Sequence, residues 1–285
     1  MQETIYSVPG APRLALLTDL HNRPYRAVID SLLQHRPSLI CFAGDIVYGS
    51  CPKDDWSPLE TQENALPFLR ACRQIAPTFF SLGNHETVFD EKDLESIEET
   101  GAIALDNSWH TFDLDGKKIV IGGLSSARVT AYRQFKASLS PSQRASARYP
   151  RIEGVFREPR AVSRHTPDTS WLESFSAVEG YHILLSHHPE YWPRIRDQKI
   201  ELVLSGHAHG GQIRLYDPFR KTWFGLFSPG QGWLPPYTAG VHDGRLVISR
   251  GLANTIRIPR LFNPIEVVYI VSTAQAKDFA AASKN

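Results

Sequence analysis

Five apolar runs of four or five residues each end abruptly in a polar fragment built from aspartate, asparagine, histidine and glycine. Leu14 to Leu17 runs into Thr18-Asp19-Leu20-His21, Leu39 to Ala43 into Gly44-Asp45, and Thr78 to Leu82 into Gly83-Asn84-His85-Glu86. Further on, His182 to Ser186 leads to His187-His188-Pro189 and Leu202 to Ser205 to Gly206-His207-Ala208-His209. Short unbroken apolar runs are the mark of strands buried on both faces. Amphipathic stretches at Tyr25 to His35 and Thr61 to Ile75 separate the first three, and the alternation predicts α/β layering. In open α/β sheets the loops leaving the carboxyl ends of strands converge on one crevice, so the five fragments are expected to meet.

Their side chains suit cations. Asp19 and His21 stand two apart on an extended segment, which sends both to the same side. Asp45 carries two carboxylate oxygens and can bridge a pair of cations about 3.5–4 Å apart, the spacing of two-metal hydrolytic sites. His207 and His209 repeat the alternate spacing, Asn84 offers an amide oxygen, and the His187-His188 pair an imidazole. The set mixes hard oxygen with borderline nitrogen donors and has no thiolate, which points to Mn, Fe, Zn or Co and away from copper or iron-sulfur centres. Glycine before Asp45, Asn84 and His207 permits a sharp turn just after a strand. Each fragment alone has an ordinary explanation as a turn or a solvated loop, but their joint placement at strand ends does not.

The rest of the chain limits the partners. A formal charge of +1 on 285 residues gives no global pull toward nucleic acid or anionic lipid. Three cysteines, Cys41, Cys51 and Cys72, make neither an even set nor a zinc-type spacing. That usage fits a reducing compartment. No window approaches the apolar length of a membrane helix and no leader pattern opens the chain, so a cytoplasmic protein is expected, with peripheral membrane contact left open.

Between residues 125 and 168 the pattern breaks. Ala127 to His165 carries nine Arg or Lys against Glu153 and Glu158 and reads as a basic insert or cap within a single domain spanning 1–285. From Arg220 to Pro236 the chain is rich in Trp223, Phe224, Leu226, Phe227, Trp233 and Leu234. That stretch suits a substrate groove, a membrane-facing lip or satellite core under a loop.

Taken together, the fragments resemble the calcineurin-like metallophosphoesterase superfamily, whose pattern is Asp-x-His, Gly-Asp, Gly-Asn-His-Asp/Glu, His and Gly-His-x-His. The resemblance spans roughly residues 13 to 272. The stretch Gly206-His207-Ala208-His209-Gly210-Gly211-Gln212, with Ser249-Arg250-Gly251-Leu252 and Pro264-Ile265-Glu266, is similar to a bacterial branch containing small phosphodiesterases and some lipid A precursor sugar-nucleotide hydrolases. The resemblance implies a two-sheet β-sandwich flanked by helices. It also implies one metal on Asp19, His21, Asp45 and His209 and a second on Asp45, Asn84, His187 and His207. His187 is chosen over His188 because the family places its ligand two residues before a proline, here Pro189.

The implied activity is metal-dependent phosphoester hydrolysis, foremost of phosphodiesters on small or lipid-linked molecules, with manganese the first choice of metal. Attack in line by a hydroxide activated between the cations is the expected chemistry, and His85 is the candidate to protonate the leaving oxygen. One departure stands out: family members often place an aspartate three residues after the bridging one, and here that position is Tyr48. Support for His85 is then expected from Asp54 or Asp55. Gly122-Gly123-Leu124-Ser125-Ser126 likewise lacks an acid often found after such a glycine pair. The competing readings are hydrolysis of a sugar-nucleotide or lipid-linked pyrophosphate and, from another class, a non-catalytic metal-binding scaffold. A protein phosphatase fits less well because Gly44-Asp45-Ile46-Val47-Tyr48-Gly49 lacks that branch's second aspartate and arginine.

Overall fold

A computed structural model of the chain describes residues 1–48, 59, 62–140, 166–254 and 258–274. The five apolar runs form strands within a residue or so of their anticipated ends, and eleven further strands join them among the described residues. In chain order they are β1 (Gln2–Ser7), β2 (Leu14–Leu17), β3 (Leu39–Ala43), β4 (Thr78–Ser81), β5 (Ile103–Leu105), β6 (Ser108–Leu114), β7 (Lys117–Leu124) and β8 (Tyr181–Ser186). Next come β9 (Leu202–Ser205), β10 (Arg214–Asp217), β11 (Thr222–Gly225), β12 (Phe227–Ser228) and β13 (Gly232–Trp233). Last are β14 (Gly240–His242), β15 (Leu246–Ile248) and β16 (Glu266–Val271).

Two six-stranded sheets dominate, with orders β1-β16-β2-β3-β4-β5 and β14-β15-β9-β8-β7-β6. Strands β2 to β5 pair in parallel, as do β7, β8, β9 and β15. Their carboxyl ends therefore open toward a common edge. The alternation of side chains explains the layering. Leu14, Leu16, Leu39 and Cys41 point into a core shared with Ile121, Ile183, Leu185 and Leu204 of the other sheet. Ala15, Leu17, Ile40 and Phe42 face the opposite way. There they meet α1 (Arg26–His35), α2 (Ala65–Ile75) and α3 (Glu91–Glu98), which offer Val28 and Leu32, Phe68, Leu69 and Cys72, and Ile97. On the outer face of the second sheet, Val120, Leu184 and Val203 pack with Phe175 and Trp192 from short helices at Leu172–Ala177 and Trp192–Ile195. The result is the helix-sheet-sheet-helix arrangement anticipated from the sequence, with Cys41 and Cys72 buried as free thiols.

The start of the expected basic insert is helical. Helix α4 (Ala127–Ser138) opens on a Ser126 cap and buries Ala127, Val129 and Tyr132, so this part is packed against the body. Residues 141–165, with most of the insert's arginines, lie outside the described residues, as do Asp54, Asp55 and Cys51. None of the helices among the described residues is long and apolar enough to cross a membrane.

Candidate metal centre

All five polar fragments meet at one edge of the sandwich. The first sheet delivers Asp19, His21, Asp45, Asn84 and His85 from beyond β2, β3 and β4; the second delivers His187, His207 and His209 from beyond β8 and β9. Backbone bonds lace the turns together: Asp19 N–H to Gly44 C=O at 3.0 Å, His21 N–H to Asp45 C=O at 3.1 Å and Gly206 N–H to His187 C=O at 3.0 Å. Gly83 packs against the turn so tightly that a Cβ there would lie 2.2 Å from Asp45 Oδ1, and one on Gly44 would lie 2.7 Å from Gly83 Cα.

The turns are strained in a consistent way. Asp19, His21, Asp45, His207 and His209 all have positive φ, between 46° and 62°. Side chains other than glycine avoid this left-handed region, and when they are held there the site is usually functional.

Side chains fall into clusters whose ligand atoms lie within 4.8 Å of one another: Asp19, His21 and His209 in one, and Asp45, His187 and His207 in another. A further cluster joins His21, Asp45 and His85, so Asp45 stands between the two halves. Its Oδ2 is 3.1 Å from His187 Nε2 and 4.0 Å from His21 Nε2, while its Oδ1 accepts the His85 backbone N–H at 2.9 Å. Asp19 Oδ2 accepts from Thr18 Oγ1 at 2.9 Å and from the His207 N–H at 3.2 Å. Its Oδ1 points to His209 Nε2 at 3.4 Å and His21 Nε2 at 3.6 Å.

The fit to cations can be judged from what these atoms lack. Asp19 Oδ1, His21 Nε2, Asn84 Oδ1, His187 Nε2 and His207 Nε2 are buried without a hydrogen-bond partner. Buried polar atoms are rarely left so, and five of them converging from both sheets suit a site built for cations. Two imidazoles are also set in the ligating tautomer. His187 Nδ1–H donates to Ala43 C=O at 2.6 Å and His21 Nδ1–H to Val47 C=O at 3.3 Å, which turns each Nε2 toward the carboxylates. His188, by contrast, is turned away, with Nε2 on Ser126 Oγ at 2.9 Å and Nδ1 on Glu190 Oε1 at 3.1 Å.

Electrostatics follow from crowding. Burial would raise the Asp45 carboxyl, but His187, His85 and His21 hold it well below the usual carboxylate range. Burial opposes charge on His187 as well, yet Asp45 and Asp19 raise it to about 10. Burial lowers His85 to about 3 and His209 to about 4. The two carboxylates thus favour a proton on His187 that a cation would displace, while burial disfavours charge on His85 and His209.

Several residues at the site were not foreseen. Glu86 sends both carboxylate oxygens under the turns: Oε2 accepts from Gly83 N at 2.7 Å and Asp45 N at 2.8 Å, and Oε1 from Ile46 N at 2.9 Å and Val47 N at 3.4 Å. Glu190 brings Oε1 to 3.7 Å from His207 Nε2, a role hinted at only by its standing two residues after His188. Arg128, from the first turn of α4, lines the pocket of about 250 Å³ over Asp45, Asn84, His85 and His207. Phe227 and Pro229 of the aromatic stretch close the other side.

Arg260 lies 51 residues from His209 and donates from Nη2 to its Nδ1 at 2.7 Å. A guanidinium has no acceptor, so Nδ1 must accept, and Nε2 keeps a proton that has to leave before that atom can hold a cation. His209 therefore differs from His21 and His187: its outer partner lowers its basicity, where theirs raise it. Replacing Arg260 by glutamine, which can accept from Nδ1–H, should tighten the metal at Asp19, His21 and His209 by about tenfold. Competition with a chelating dye would measure it, and a weakened site would show that Arg260 serves to hold His209 in place.

Asp54 and Asp55, from which support for His85 was expected, lie outside the described residues. His85 Nδ1 is buried without a partner, and Nε2 lies 3.7 Å from Asp45 Oδ2. Tyr48 is 46% exposed and takes no part.

Comparison with known proteins agrees with the geometry. The description "Calcineurin-like phosphoesterase" matches residues 12–211. The chain is 26% identical over 253 residues to the uncharacterized protein YpbG of Bacillus subtilis, covering 86% of this chain and 76% of that protein. It is 25% identical over 262 residues to the uncharacterized metallophosphoesterase YkuE of the same organism, covering 88% and 74%. Among solved structures, the NAD nucleotidase NadN of Haemophilus influenzae aligns at a TM-score of 0.46 and 15% identity over 92% of this chain, which spans 44% of that longer protein. The phosphopantetheinyl hydrolase PptH of Mycobacterium tuberculosis aligns at 0.46 and 13%, covering 94% and 99%.

Proposed function

The chain belongs to the calcineurin-like phosphoesterase family, and from that premise we propose that it is a dinuclear phosphodiesterase acting on small or lipid-linked phosphate esters. Membership makes it a metal-dependent hydrolase of phosphoric esters; the diester preference and the residue roles are our reading. The observation that carries it is the convergence of unpartnered donors from both sheets on Asp45. In this reading Asp19, His21, Asp45 and His209 hold one cation, and Asp45, Asn84, His187 and His207 the other. Manganese is our first choice of metal from the family resemblance, and the donor set suits manganese, iron, zinc or cobalt alike.

Two divalent cations, when bound, acidify water and neutralise charge on the phosphoryl group. The chain does the rest. Asp45 and Asp19 fix the spacing, and the carbonyls of Ala43 and Val47 keep His187 and His21 in the right tautomer. Arg128 binds a non-bridging phosphate oxygen from the pocket wall, as a charged donor suits. His85, held neutral by burial, lies close enough to Asp45 to hydrogen-bond the ester oxygens. Phe227 and Pro229 exclude water from that wall and give the apolar part of a substrate a surface. The glycine-rich Gly210-Gly211-Gln212 turn supports placement in the bacterial phosphodiesterase-like branch.

The deciding assay compares bis-p-nitrophenyl phosphate with p-nitrophenyl phosphate, using metal-stripped protein with manganese restored and Asp45→Asn as the blank. Faster diester cleavage that requires the metal is expected. Turnover of the monoester alone would move the assignment to phosphomonoesters. Absence of metal-dependent turnover on both would favour a pyrophosphatase with narrow demands or a binding scaffold.

A further inference from the structure

A cavity larger than the metal pocket opens elsewhere among the described residues. It is a cleft of about 1110 Å³ between the β1 edge and the β10–β11 hairpin, lined by Thr4, Tyr6, Arg214, Lys221, Trp223 and Leu234 among others, with Arg250 at its base. The ribbon from β11 to β12 reaches both cavities: Trp223 and Phe224 line the cleft, and Phe227 lines the metal pocket.

Charge in the cleft is unbalanced. Arg214, Arg220, Lys221 and Arg250 line it against one carboxylate, Asp217. The nearby Glu266 is already committed: Oε1 accepts from the Arg250 backbone N–H at 2.8 Å, and Oε2 takes the Thr4 hydroxyl at 2.7 Å together with the Arg250 guanidinium. Asp217 Oδ1 caps its own turn, accepting from Phe219 N at 2.9 Å and Arg220 N at 3.1 Å. Arg214 is left over. Nη2 donates to Trp223 C=O at 3.2 Å, Nη1 is buried with no acceptor, and no carboxylate among the described residues is within ion-pair distance. Burial and the neighbouring Arg250 both press its pKa down. A desolvated guanidinium without a counter-charge is unfavourable, and its planar fork matches the oxygens of a phosphate.

The rim supplies the complementary half. Phe219 is 96% exposed, Leu234 67% and Trp223 46%. Trp223 also stacks near Phe262 and Tyr216, at centroid distances of 6.2 and 5.4 Å. Large exposed apolar surfaces beside cations mark binding sites for ligands that carry both characters.

We propose that this cleft binds a phosphorylated amphiphile, its phosphate on Arg214 and Lys221 and its apolar part along Trp223, Phe219 and Leu234. The site is separate from the metal centre and does not depend on what that centre hydrolyses.

Calorimetric titration of the full chain with dihexanoyl phosphatidate below its micelle concentration tests it. Binding should persist in Asp45→Asn, which removes the contribution of the metal centre. It should weaken by about ten- to a hundredfold in Arg214→Gln, the range for a hydrogen bond to a charged group. Lys221→Gln, at an exposed turn that does not endanger folding, should weaken it by about threefold. Vesicles of phosphatidylcholine with and without phosphatidylglycerol separate the two sources of the same chemistry. Capture that requires Arg214 and Lys221 assigns a bilayer-borne headgroup, and binding of the soluble probe alone assigns a free molecule. The proposal is overturned if the probe does not bind saturably, if neither substitution weakens it, or if glycerol 3-phosphate binds as tightly as the phosphatidate.

Discussion

Replacing Asp45 by asparagine should lower metal-supported diester hydrolysis by about a thousandfold or more, because the change strikes both halves of the centre at once. In the native arrangement Asp45 Oδ2 faces His187 and His21 while Oδ1 accepts the His85 N–H. Asparagine preserves the shape and one oxygen, but removes the charge that lets a single group serve two cations. Metal content should fall with activity, from two ions per chain toward one or none in elemental analysis. A variant that kept two ions and a tenth of the rate would refute the bridging role and move the burden to Asp19.

Glu86→Gln should be nearly as damaging, through a different route. The carboxylate accepts four backbone N–H groups from two turns, all buried. Burial and Asp45 push its carboxyl up to about 7, against those four donors, which favour the ionised form. Glutamine has one oxygen, so its amide NH₂ must confront one pair of N–H donors. Two orphaned donors cost about 1–3 kcal/mol each, or roughly 10 °C in the unfolding midpoint for about 3 kcal/mol in a chain of this size. Thermal unfolding with chelator present isolates this loss from that of the metals. An unchanged midpoint would mean that the turns hold their shape without Glu86.

Much of the site was legible because its residues follow strands directly. Period-two burial forces Leu14 and Leu16 inward and fixes the strand end that presents Asp19 and His21; the same logic locates Asp45, Asn84, His187 and His207. What stayed hidden is what arrives from far along the chain. Arg260 reaches His209 through a loop with no periodic signal. Arg128 looked like one of many surface arginines until α4 proved to be packed, with its first turn at the pocket. Glu86 was visible as part of a motif, but its function lies in four backbone contacts that no side-chain pattern encodes. The aromatic stretch from Arg220 was ambiguous for a related reason. Its residues alternate between two cavities and solvent, an arrangement set by short hairpins whose pairing depends on turn geometry.

The position of β16 affects how the protein is made. It pairs in parallel with β1 through six residues and antiparallel with β2, so the last strand among the described residues lies between the first two. Until Val271 has been synthesised, Leu14 to Leu17 has one open hydrogen-bonding edge and the strand Gln2–Ser7 has no neighbour. At elongation rates of about 5–20 residues per second the ribosome spends on the order of ten to fifty seconds adding the intervening residues. During that interval a nascent chain exposes an apolar strand edge of the kind that invites pairing with other chains. The first sheet closes only after β16 has been synthesised, so a metal-loaded centre built on that sheet also reports that β1, β2 and β16 have found each other.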